Sequence, residues 1–101
     1  MVFDWLTHYQ RHWSLLQAEI EQIGRELERS PYQDLDRDAE AQPLIERHVN
    51  GYPVRFQVDR YDTLPNGDLA ICIDAYGGPP TLFGMKPSYR FFKHPNGNVY
   101  Y

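Results

Sequence analysis

One cysteine, Cys72, is all that the chain contains, so no intrachain disulfide can form and stability must come from packing. That points away from the oxidising compartments in which small proteins lean on disulfides. No apolar run approaches the roughly 18 residues of a membrane span. Asp4, His8 and Arg11 interrupt any signal-like stretch at the N-terminus. The expectation is a cytoplasmic protein without membrane association. Acids are missing beyond Asp74, where Lys86, Arg90 and Lys93 are the remaining full charges. No motif for catalysis or for a cofactor is complete, so the chain is read as non-enzymatic, with no cofactor and no metal.

What is present bounds the rest. A length of 101 residues suits one domain. Eight tyrosines and two tryptophans supply much burial per residue. The net charge of −4 is unevenly spread: residues 1–42 hold nine acids and four bases, residues 43–101 five acids and six bases. An acidic protein lacks the broad positive footprint of nucleic-acid binding, so nucleic acid is not the expected partner.

Val2, Leu6, Tyr9, Trp13, Leu16, Ile20, Ile23 and Leu27 are spaced alternately by four and three residues. This period predicts an amphipathic helix over residues 3–29. Ser30-Pro31 stops it, because the residue before proline is pushed out of helical geometry. A helix of about 26 residues is about 39 Å long, whereas a globule of this size spans about 33 Å. An overhang follows, and Phe3 and Trp5 make the N-terminal turns apolar on more than one side. The stripe is gripped by a curved sheet, or it is shared with a protein partner or a second copy in a homodimer. Gly24 interrupts a flanking position and argues against a free-standing coiled coil.

Residues 31–42 form an acidic connector with little to bury, expected as a solvated loop or one short helical turn. Asp34, Asp36 and Asp38 alternate like the first ligands of a calcium loop. Ala39 and Ile45 stand where glycine and glutamate would be required.

From Pro43 onward the period becomes two. Leu44–Val49 and Tyr52–Tyr61 flank Asn50-Gly51, a two-residue hairpin turn. Pairing Val49 with Tyr52 sets Arg47 opposite Val54, Ile45 opposite Phe56 and Glu46 opposite Arg55. A short helix from Pro43 to Gly51 is the alternative. Pro65-Asn66-Gly67 and Pro95-Asn96-Gly97 mark two further hairpins around strands at 68–76 and 88–94. The first of these is the most apolar and therefore central. The fold class is α+β: one long N-terminal helix on a four- to five-stranded antiparallel meander covering residues 43–101, in a single domain. In architecture this resembles the cystatin-like layout. The Gln-x-Val-x-Gly hairpin of cystatin inhibitors has no counterpart in Gln57-Val58-Asp59-Arg60-Tyr61.

Four features are weighed for chemistry. His8 and His12 are one helical turn apart, as two metal ligands would be. Tyr9 stands where a zinc-protease helix has glutamate, so they are read as partly exposed residues beside the stripe. Cys72, between Ile71 and Ile73, reads as a small buried apolar group. Asp74 reads as an ion-paired acid on the outer face of the sheet. The segment 77–101 mixes a Gly/Pro-rich loop with aromatics and bases of the kinds enriched at protein interfaces. The interface candidates are Phe3, Trp5, Phe83, Met85, Lys86, Tyr89 and Arg90. The expected function is that of a small binding or regulatory protein working through protein–protein contacts, as inhibitors and immunity-type factors do. The alternative is a ligand pocket or a weak enzyme between helix and sheet, lined by Tyr9, Trp13, Phe56 and Asp74.

Overall fold

The computed structural model describes residues 4–101, with side chains from Trp5 onward. Val2 and Phe3, assigned above to the overhanging end, lie outside the described residues. Helix α1 spans Asp4–Glu28 and a second helix, α2, spans Tyr32–Glu40. Strands β1 (Leu44–Val49), β2 (Tyr52–Thr63), β3 (Leu69–Gly77), β4 (Ser88–Lys93) and β5 (Val99–Tyr100) follow. They form one antiparallel sheet in the order of the chain, with β3 in the middle. The α+β expectation of one long helix on a meander is met with five strands.

The first hairpin has the expected register: Val49 faces Tyr52, Arg47 faces Val54, Ile45 faces Phe56 and Glu46 faces Arg55. Residues 44–49 are therefore strand and not helix. Asn50 and Gly51 both take positive φ, at 52° and 81°, as a two-residue turn between twisted strands requires. Arg47, the odd charge on the apolar face, meets Glu19 of α1 at 3.5 Å. In β2 the pairing shifts between Arg60 and Asp62, leaving Tyr61 as the extra residue of a bulge.

Both helices lie on one face of the sheet. Leu16, Ile20 and Ile23 of α1 are buried with Val54, Phe56 and Val58 of β2, Ile71, Ile73 and Ala75 of β3 and Phe91 of β4. The acidic connector departs from expectation. It is a nine-residue helix whose Leu35 and Ala39, four positions apart, are buried in the same core. Its acids are not a calcium loop: Arg37 reaches Asp34 and Asp38, and Arg60 of β2 pairs with Asp36. That last pair, with the packing of Leu35, pins α2 to β2.

The C-terminal end of α1 is latched to the last strands. Lys93, buried on the inner face, donates its Nζ hydrogen to the Glu28 carbonyl at 2.7 Å, a cation at a helix C-terminus. Tyr89 and Tyr101 both donate their hydroxyls to Glu28 Oε1, at 2.5 and 2.6 Å. Among the described residues, no comparable set of bonds ties the first turns of α1 to the strands, and Trp5 and Leu6 are exposed. A radius of gyration of 15.3 Å and a long axis of 53 Å describe an elongated body; a compact chain of this length would have a radius of gyration near 13 Å.

Candidate functional site

The stripe of α1 divides where the sheet ends. Its C-terminal half, Leu16 to Ile23, is buried, whereas Leu6, Tyr9 and Trp13 continue past the sheet and keep part of their surface. The segment between β3 and β4, residues 78–87, rises against them. Leu6, Tyr9, Gln10 and Trp13 on one side and Leu82 and Met85 on the other enclose an apolar groove of about 380 Å³. Trp5, 54 % exposed, sets its ring edge-on to the lining residue Tyr9 at 6.0 Å.

The loop owes its shape to internal bonds. Lys86 Nζ donates to the Pro79 carbonyl at 3.0 Å, and the Thr81 hydroxyl donates to the Met85 carbonyl at 2.5 Å. The Gly84 and Met85 amides donate to the carbonyls of Thr81 and Leu82, making a short 3₁₀ turn over Leu82–Gly84. His12 of α1, only 1 % exposed, holds the loop to the helix through Nδ1, 2.8 Å from the Pro80 carbonyl oxygen. A loop closed at its base in this way presents its tip in one arrangement. At that tip Phe83 sits in left-handed backbone, φ 55°, and is 89 % exposed. Met85 beside it is 64 % exposed.

The sequence-derived candidates sort by position. Met85 lines the groove with Tyr9 and Trp13, so the interface set and the pocket set share it. Trp5 packs on Tyr9, and Phe83 lies in the loop between the lining residues Leu82 and Met85 but is not itself part of the lining. Lys86 acts at the base of the loop, where burial lowers its pKa from the ordinary lysine value. Tyr89 is taken up by packing against α1. Arg90 stands on the other face of the sheet, opposite Cys72 and over the Tyr61 ring at 5.9 Å. Phe56 is wholly within the core, and Asp74 lies on the outer face, where its carboxylate accepts from Cys72 Sγ at 3.6 Å. A pocket between helix and sheet uniting Tyr9, Trp13, Phe56 and Asp74 is thus not formed; the space there is filled by side chains. Burial, then the Asp74 charge, raises the Cys72 thiol above its usual pKa, opposite to what a nucleophile needs.

Two arrangements were not read from the sequence. His12 is buried, not partly exposed, and its Nε2 makes no hydrogen bond among the described residues. A buried acceptor left without a partner costs about 1–3 kcal/mol. The other arrangement is a carboxylate cluster at the far end of the sheet. Asp68, buried, accepts hydrogen bonds from the Tyr100 hydroxyl, from His94 Nδ1 at 2.5 Å and from Asn66 Nδ2 at 3.0 Å. The Tyr100 hydrogen bond is the largest influence holding the Asp68 carboxyl below its usual pKa, and it outweighs the opposing effect of burial. The cluster ties the β2–β3 turn to the β4–β5 turn.

No helix among the described residues is long and apolar enough to cross a membrane. Compared with protein families, curated proteins and solved structures, the chain matches none.

Proposed function

We propose that this protein is a small non-catalytic binding or regulatory module of the cytoplasm that receives an apolar element of a protein partner in the groove between α1 and the β3–β4 loop. Phe83 carries the reading. A bulky residue in left-handed backbone is strained, and at 89 % exposure it recovers almost nothing by burial. Neither folding nor local geometry accounts for a phenylalanine there, whereas binding does. Leu6 and Met85 line the concavity, and the exposed rings of Trp5 and Phe83 each adjoin a lining residue, Tyr9 in space and Leu82 in the loop, a grouping of apolar side chains like that of interface hot spots. The bonds at the base of the loop lower the entropy that binding would otherwise cost. An inhibitor or immunity-type factor that covers part of a larger target would use such a surface.

The test is a photo-crosslinking amino acid placed at position 83 and expressed in the native host. A discrete protein adduct is expected, lost on Met85→Asp. The same label at Asn96, in the turn at the opposite end of the sheet, should give none. An adduct of twice the chain mass would make the partner a second copy. No adduct at position 83, with the protein at normal level, rejects a protein partner.

A second reading rests on the groove volume of about 380 Å³, within the range of small-molecule sites, about 300–1,000 Å³. On that reading a small apolar ligand occupies it. Native mass spectrometry of the protein purified from its host would then show an added mass that Leu82→Asp removes.

A further inference from the structure

We propose that His8 and His12 chelate a divalent transition-metal ion of the zinc type, one that prefers imidazole nitrogen. The two residues are one turn apart on α1, and their ring centroids are 4.1 Å apart. Two histidines at this spacing on a helix present their nitrogens to a common point. The His12 ring is already oriented. Its Nδ1 lies 2.8 Å from the Pro80 carbonyl oxygen, which can only accept, so Nδ1 carries the proton and Nε2 keeps its lone pair. Histidines that bind metal characteristically donate their other N–H to a carbonyl or carboxylate in this way.

The second observation is independent of spacing. His12 is 1 % exposed, and its Nε2 is buried without a hydrogen-bond partner among the described residues. An oriented, desolvated lone pair beside a second imidazole is a ligand ready for a Lewis acid. The Tyr52 ring, 5.8 Å from that of His12, closes another side. His8 is exposed and its ring can adjust to an ion. No group of three or more His, Cys, Asp or Glu side chains capable of holding a metal occurs among the described residues. The ion would therefore keep open positions for water or for a ligand from a bound partner. The site lies next to the groove, since the His8 and Tyr9 rings are 6.1 Å apart.

The untagged full chain titrated with Zn²⁺ tests this by calorimetry and by histidine ring ¹⁵N spectra. One equivalent should bind, with the ring nitrogens of His8 and His12 shifting together. Loss of even an outer-shell partner weakens metal sites by about 10–100-fold, so His8→Ala should weaken binding at least tenfold. Because His8 is exposed, that variant should keep its fold and circular dichroism. His48→Ala should bind as the parent does. No binding at millimolar Zn²⁺, an unmoved His12 signal, or parental affinity in His8→Ala would each overturn the proposal.

Discussion

Tyr89 of β4 lies directly on the backbone of α1 at Gly24: a Cβ atom added to Gly24 would stand 2.3 Å from Tyr89 Cδ1. Cε1 and Cγ of the same ring would be 2.4 and 2.8 Å away, so the overlap involves the body of the side chain and not a free tip. The Tyr89 hydroxyl is held by Glu28, which prevents the ring from swinging aside cheaply. The only glycine of α1 is what lets helix and sheet approach this closely.

Gly24→Ala should therefore destabilise the protein, although alanine is the better helix former by about 1 kcal/mol. Overpacking of this kind costs about 1–3 kcal/mol, leaving a net loss of up to about 2 kcal/mol in denaturant titration. In a Tyr89→Ala background the same change should become stabilising. A cycle without that reversal of sign would refute the packing argument.

Leu35→Ala should cost about 2–4 kcal/mol, the range for emptying a buried leucine site. Leu35 is the main apolar anchor of α2. The neighbouring Gln33→Ala, on the exposed side, should change stability by less than about 0.5 kcal/mol. Equal effects of the two would mean that α2 does not rest on the sheet.

Acid stability should depend on Asp68. Its carboxyl is held below the ordinary value chiefly by the Tyr100 hydroxyl, helped by His94 and Asn66 against the effect of burial. The ionised form is thus favoured in the folded state. The resulting stability is present above the unfolded value, about pH 4, and is lost as the pH falls through the lowered folded value. Asp68→Asn should be less stable than the parent at neutral pH. Its stability should also vary less below about pH 4.

The alkaline limb belongs to Tyr89. Burial first, then the hydrogen bond to Glu28, pushes its phenol far above the ordinary tyrosine range. A raised folded value means stability that is intact below about pH 10 and lost as the pH rises from there. Tyrosine absorbance should show Tyr89 ionising only as the protein unfolds, with Tyr100, raised by its bond to Asp68, also late. Tyr89→Phe should lose about 1 kcal/mol at neutral pH and lose less than the parent above pH 10.

Phe83→Gly should separate binding from folding. Glycine relieves left-handed strain of about 1–2 kcal/mol and loses about 0.5–1 kcal/mol through greater freedom of the unfolded chain. The melting temperature should hold or rise slightly, and capture of the partner should be lost. A fall of several degrees would show that Phe83 supports the fold.

Local features of the chain carried much of this structure. The stop at Ser30-Pro31, the positive-φ turn at Asn50-Gly51 and the pairing of Ile45 with Phe56 all follow from the residues themselves. Helix period, turn geometry and strand alternation each act over a few positions, so they survive transfer from sequence to fold. The missed helix α2 is a borderline case: Leu35 and Ala39 share the right spacing, but two apolar residues among acids say little until the sheet beneath them exists.

The site needed tertiary structure. Tyr9 and Trp13 were recognisable as stripe residues, yet whether the stripe was covered depended on where the sheet ended. His12 is buried because Pro80, 68 positions away, arrives beside it, and Asp68 is clamped by Tyr100 from 32 positions away. Phe56 and Asp74 left the proposed pocket because the sheet fills one face with core and turns the other outward. Periodicity states which side chains share a face. Which loop comes to rest on that face is decided only when distant segments close, since burial and hydrogen bonding are properties of the assembled surface.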